Sequence, residues 1–208
     1  MDKKAFYKMS YGLYIVSSSF DGKDAGCVVN TLNQVTSSPA QMSVAINKDN
    51  YTTSVIEKSG RFAAVTLLQD VNMDTIGIFG FKTSAETDKF ADFPFSRDES
   101  GIPYITEGVA ARYSCEVVNK IDLGSHIMFI GKVTEAEVMS DDEVMTYAYY
   151  QKVKKGGTPK NAPSFIEEKK DEAGYKCSVC GYVHKEEAMA EDFTCPWCSQ
   201  PKEKFNKL

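Results

Sequence analysis

The chain has 208 residues, of which 42% are hydrophobic and 25% charged, and its formal net charge is −5. That is room for one ordinary domain plus a small one, and the mildly acidic balance argues against a nucleic-acid partner. No apolar run approaches the ~18 residues of a membrane span, and the opening Met-Asp-Lys-Lys-Ala-Phe-Tyr lacks the apolar stretch of a signal peptide, so no membrane is expected and the cytoplasm is the expected compartment.

Residues 1–9 read as a short helix with Phe6 and Met9 on one side. Strand-like runs follow at 12–18, 26–30, 41–47, 61–68, 110–118 and 126–138. They are rich in Val, Ile, Tyr and Phe and are separated by polar turns such as Asp21-Gly22 and Ser38-Pro39. Their irregular spacing and short connections favour an antiparallel barrel over a parallel α/β sheet. Two helices interrupt the strands. One covers 50–59, with Val55 and Ile56 apolar, and one covers 70–79, with Met73, Ile76 and Phe79 at helical spacing. A third is expected from Ser140, where Ser-Asp-Asp-Glu reads as a capping box, to about Lys155, stopped by Gly156-Gly157 and Pro159. Cys27 and Cys115 fall in apolar runs and read as small buried residues.

Beyond residue 156 the apolar periodicity gives way to Gly, Pro and charge. The expected organisation is a barrel at 1–156, a linker at 157–171 and a small domain at 172–208. The small domain holds Cys177-Ser178-Val179-Cys180 and Cys195-Pro196-Trp197-Cys198, with Tyr175, Tyr182, Phe193, Trp197 and Phe205 around them. Each Cys-x-x-Cys places two thiolates on one turn, and two such turns facing each other complete a sulfur tetrahedron. A segment this short buries too little apolar surface to fold alone, so the metal supplies folding energy. The spacing C-x2-C-x14-C-x2-C suits structural zinc and rubredoxin-type iron alike, and a disulfide pair is the third reading.

In the large domain, Asn30-Thr31-Leu32-Asn33-Gln34-Val35-Thr36 is a polar run directly after a strand. Amide and hydroxyl groups at a strand end suit the edge of a planar, hydrogen-bonding ligand. The same run also reads as an ordinary polar turn. His126 and His184 are too few for a multi-histidine metal site.

From Ala5-Phe6-Tyr7-Lys8-Met9-Ser10-Tyr11-Gly12 through Thr158-Pro159 the chain resembles the flavin reductase-like family, in its ferric reductase and flavoredoxin branch. The resemblance runs through Asn30-Thr31…Gln34…Thr36…Pro39, Ile46-Asn47-Lys48…Asn50…Thr52 and Ile76-Gly77…Phe79-Gly80-Phe81. It continues in Asp88-Lys89-Phe90, Asp122-Leu123-Gly124-Ser125-His126…Phe129…Gly131 and Thr146-Tyr147-Ala148-Tyr149-Tyr150. It implies an FMN-binding split β-barrel working as a homodimer. It places Val28, Val29, Asn30, Thr31 and Gln34 along the flavin ring and ribityl chain. Asn47, Asn50 and Thr52 fall at the phosphate end, where helix N-terminal amides suit an anion, and Lys82 adds charge there. His126 falls near the nicotinamide and flavin face, and reads equally as a strand histidine packed beside Phe129. Lys89 reads equally as a salt-bridge residue.

The tail resembles rubredoxin at both knuckles, with a 14-residue loop closer to the compact rubredoxin domains of rubrerythrin-like proteins. Ser199 departs from the usual glycine after the fourth cysteine. Together the halves resemble the two-module high-molecular-weight rubredoxins of anaerobes. That resemblance implies electron transfer from NAD(P)H through FMN to a mononuclear iron held by four cysteines, and on to a protein acceptor such as a flavodiiron oxygen or nitric oxide reductase. FMN joins a two-electron donor to a one-electron centre. Two other readings stand beside it: an NAD(P)H:flavin or ferric reductase with a structural zinc knuckle, and a non-enzymatic flavin- or metal-binding module.

Overall fold

The structure is a computed structural model and describes residues 2–154, 156–158, 174–179, 182–185, 189–190, 192–198 and 200–207. Most of the expected linker, together with Cys180, Gly181 and Ser199, lies outside the described residues.

Seven strands form one antiparallel sheet in the order β2-β1-β5-β8-β9-β4-β3. They are β1 (Tyr14–Phe20), β2 (Lys23–Val29), β3 (Asn33–Ser37), β4 (Ala40–Asn47), β5 (Arg61–Leu67), β8 (Val109–Asp122) and β9 (His126–Val138). Between β5 and β8, β6 (Phe95–Arg97) pairs with β7 (Pro103–Ile105) as a separate hairpin. The sheet curls on itself. After β2 the chain crosses to the far edge, and Thr31 Oγ1 donates to Ala45 O of β4 at 2.6 Å. The fold is a mainly β split barrel. Alternating burial along β4 and the first half of β9 shows why: every second residue enters the core. One apolar cluster centres on Phe62, Phe129, Val44 and Ile56, the other on Phe79, Phe90, Ile76 and Met145.

Helix α1 (Tyr51–Ser59) is capped by Asn50, whose Oδ1 accepts from Thr52 N, and ends at Gly60 in the left-handed region. Helix α2 (Met73–Phe81) is capped by Asn72. The N-terminal turn is a 3₁₀ segment, Lys3–Lys8, and both Phe6 and Met9 are exposed.

The expected third helix is corrected. Ser140 closes only a local turn with Asp142. Residues 143–146 are extended, because Met145 hydrogen-bonds to Leu13 and Leu67 and is fully buried. Helix α3 starts later, at Tyr147–Lys152, with Thr146 as its cap. Cys27 and Cys115 are buried at 2% exposure each, as their apolar surroundings predict.

Candidate functional site

In the tail, β10 (Tyr175–Cys177) pairs with β11 (Val183–His184) on one side and β12 (Phe205–Lys207) on the other. Cys177 ends β10, and its N–H donates to Tyr182 O. In the second knuckle Cys195 N–H donates to Gln200 O. These turns bring Cys177, Cys195 and Cys198 together, buried, with their sulfurs all within 4.8 Å of one another. Cys177 Sγ and Cys198 Sγ are 3.7 Å apart. A disulfide is about 2.05 Å long. A tetrahedron with metal–sulfur bonds of about 2.3 Å has edges near 3.8 Å. The three thiols therefore have the geometry of a metal centre and not of a disulfide. Cys180, the expected fourth ligand, lies outside the described residues. Tyr182, Trp197, Phe193 and Phe205 form a chain of edge contacts around the sulfurs. Such a shell excludes water and raises the influence of nearby hydrogen bonds on the metal.

The expected flavin residues fall on neighbouring strand ends. Val28 and Val29 close β2, opposite Ile15 and Tyr14 of β1. Asn30 is buried, and Thr31 is tied to β4. Gln34 lies exposed on β3 opposite Met42. Asn47 ends β4 directly across from His126 at the start of β9. His126 Nδ1 meets Ser125 Oγ at 2.8 Å. Asn50 and Thr52 start α1 close to the Cys27 thiol of β2. The side chain of Asn50 is engaged as the cap, and Thr52 is fully buried, so α1 offers a ligand its backbone N–H groups before these side chains. Lys82 ends α2, its N–H donating to Ile78 O. The structure thus places residues 28–31, 47, 50–52 and 126 at adjoining strand and helix ends. Gln34 stands apart on the outer edge strand.

Lys89 is 3% exposed, and its Nζ donates to Gly26 O at 2.8 Å and Phe79 O at 3.1 Å. It ties β2 to α2 through two backbone carbonyls, and the salt bridge that was the alternative reading of Lys89 is not among its bonds within the described residues. Burial pulls its pKa down to about 8, with partial compensation from Cys27. Burial likewise raises the Cys27 thiol and pushes Cys115 up to about 12, which makes both poor nucleophiles at neutral pH. Ser84 adds a second tie to β2 by accepting from Gly26 N. Neither tie was legible beforehand. A lysine after an aspartate signals surface, and only the tertiary fold turns it inward.

The flavin reductase like domain family matches residues 6–158, and the rubrerythrin, rubredoxin-like domain family matches residues 175–206. A high molecular weight rubredoxin of Moorella thermoacetica is 38% identical and aligns over all of both chains. A ferric-chelate reductase (NAD(P)H) of Archaeoglobus fulgidus is 42% identical over 81% of this chain and 100% of its own. The crystal structure of flavoredoxin from Methanosarcina acetivorans superimposes with a TM-score of 0.57 at 19% identity, covering 62% of this chain and 69% of that one, and so shares the fold.

Proposed function

Because the chain belongs to the flavin reductase-like family and joins to it a rubredoxin-like tail, making it a flavin- and iron-binding oxidoreductase, we propose that its donor is NAD(P)H and its outlet a separate protein acceptor. One observation carries the reading: a buried cluster of thiols with metal-centre spacing sits in the same chain as the barrel. Bound FMN supplies the conversion between hydride and single electrons. With both groups bound, one NAD(P)H would supply two electrons and each Fe(III) would take one, so two iron reductions and one released proton would balance one hydride.

In this proposal the chain's own residues position and polarise. Val28, Val29, Asn30 and Thr31 line the ring and ribityl chain, and Gln34 reaches toward it from the outer edge strand β3. The Asn47–Thr52 turn offers the N–H groups of α1 to the phosphate, and Lys82 adds charge. His126, beside Asn47, orients the nicotinamide. Lys89 holds a buried positive charge against β2, which would favour the electron-rich, reduced form of a flavin held by that strand. Cys177, Cys180, Cys195 and Cys198 ligate the iron. The working unit is a homodimer, and exposed Val35 on β3 with Val118, Ile121 and Leu123 on the β8–β9 hairpin supply apolar surface for it. The acceptor class is a flavodiiron-type oxygen or nitric oxide reductase. The functional division is 1–156 for the barrel, 157–171 for the linker and 172–208 for the iron domain.

The test is an anaerobic titration of the purified full chain with NADH and with NADPH, after metal analysis. The expected result is one iron per chain, with both the flavin and the iron bands bleaching. In Cys198→Ser the flavin band alone should bleach. A second reading, a flavin or ferric reductase with structural zinc, is favoured by the similarity of the barrel to a ferric-chelate reductase. Zinc at full occupancy after expression in iron-replete medium would replace the first reading by the second. A chain that neither carries nor retains FMN would overturn both.

A further inference from the structure

Helix α2 is in contact on two sides. Ile76 and Phe79 enter the barrel core, and Lys89 ties Phe79 O to Gly26 O of β2. A Cβ at Gly80 would lie 3.7 Å from the Val28 side chain. Gly77 and Phe81, four residues apart and so on one stripe, face the tail instead. Gly77 is buried, and a Cβ there would lie 2.9 Å from the Trp197 carbonyl oxygen and 3.5 Å from Cys198 Cα. Phe81 packs against the cluster that contains Cys177, Cys195 and Cys198. Gly157 approaches the same tryptophan from another element. A Cβ on it would overlap the Trp197 ring. Gly157 is itself held, because Tyr150 OH of α3 donates to Gly157 O at 3.0 Å and Gly156 N–H donates to Tyr150 O at 3.0 Å. Cys198 then lines a cleft of about 310 Å³ together with Asn72, Asp74, Ile78 and Phe93 of the barrel.

Glycine weakens a helix interior, so Gly77 calls for a reason, and the close approach of the Trp197 backbone supplies it. We propose that Gly77 and Gly157 form a seat for Trp197, which fixes the metal knuckle on α2 within one chain. The seat therefore holds the thiol cluster against the same helix that packs on Val28 of β2, the strand proposed to hold the flavin. The electron-transfer purpose rests on the proposed function; the seat itself rests on contacts. Gly77, Gly157 and Trp197 are positioning residues.

The test compares the full-length wild type with Gly77→Leu and Gly157→Val. Trp197 is the chain's one tryptophan, so its fluorescence reports the seat directly. In zinc-loaded protein both variants should become markedly easier to quench with acrylamide. If α2 met only solvent here, leucine at 77 would strengthen the helix and leave the quenching unchanged. In iron-loaded protein, iron reduction should slow about tenfold or more while staying independent of protein concentration, since the tail loses its fixed position on α2 but remains tethered by the linker. Flavin reduction by NAD(P)H, in the same samples, should keep its rate and so certify the barrel. Unchanged quenching in both variants overturns the seat. Increased quenching with undiminished iron reduction overturns its role in electron transfer. If wild-type iron is never reduced, the functional reading falls and the quenching result alone decides the seat.

Discussion

The barrel and the tail solve the stability problem by different means. The barrel buries two apolar clusters, with Phe62, Phe129, Phe79 and Ile76 each at 2% exposure or less. The tail's cluster has four buried members among the described residues, and three of them are cysteines. The barrel is thus held by its own side chains, and the tail by what its thiols bind. Stability and redox chemistry share the same atoms in the tail, and are largely separated in the barrel, where Val29 is the one candidate flavin residue that is a buried member of an apolar core cluster. A tail built this way depends on its metal and on its seat, while the barrel tolerates the loss of either.

The largest effect expected from this contrast is metal removal. Structural thiolate sites contribute about 10–16 kcal/mol of binding energy that is also folding energy. Chelation under reducing conditions should abolish a tail transition in calorimetry and leave the barrel transition within a few degrees of its place. Next comes the barrel core. Phe62→Ala should lower barrel stability by about 3–5 kcal/mol in denaturant titrations, and the spectrum of the metal centre should persist until the barrel itself melts.

The buried Lys89 gives a smaller, pH-dependent term. Its pKa falls from 10.5 to about 8 on folding. Between those values the unfolded chain binds more protons, so this group's contribution to stability rises as pH increases through the window, by about 3 kcal/mol in all. Cys27 opposes it, since its raised folded pKa removes stability as pH climbs past the ordinary thiol range. The difference in unfolding free energy between wild type and Lys89→Met should therefore grow in favour of the wild type from about pH 8 to pH 10.5, and the tail should show no such dependence. Asn50→Ala should have the smallest effect. Loss of the α1 cap lowers barrel stability by about 1 kcal/mol, read from the denaturant midpoint.

How much was legible beforehand follows the same division. Runs of β-branched and aromatic residues located every long strand, and the two Cys-x-x-Cys pairs located the metal site, because both signals are local. β3 escaped because all five of its residues are exposed and polarity hides its pairing with β4. The start of α3 was misplaced because Ser140 makes a turn that imitates a helix cap, while Met145 is held extended by Leu13 and Leu67, both far away in sequence. The seat was written in the chain as a glycine at position 77, inside a helical pattern, and a second glycine at 157. Their meaning needed the partner, Trp197, which only the tertiary fold supplies. Lys89 was invisible for the same reason.

The central claim is that electrons entering at the barrel leave through the tail of the same chain. An anaerobic single-turnover experiment tests it most directly. Full-length protein holding FMN and Fe(III) is mixed with one equivalent of NADH or NADPH, and the flavin and iron bands are followed together. The account predicts that flavin reduction comes first, and that iron reduction follows at a rate independent of protein concentration. Fully reduced flavin beside iron that stays oxidised would contradict it.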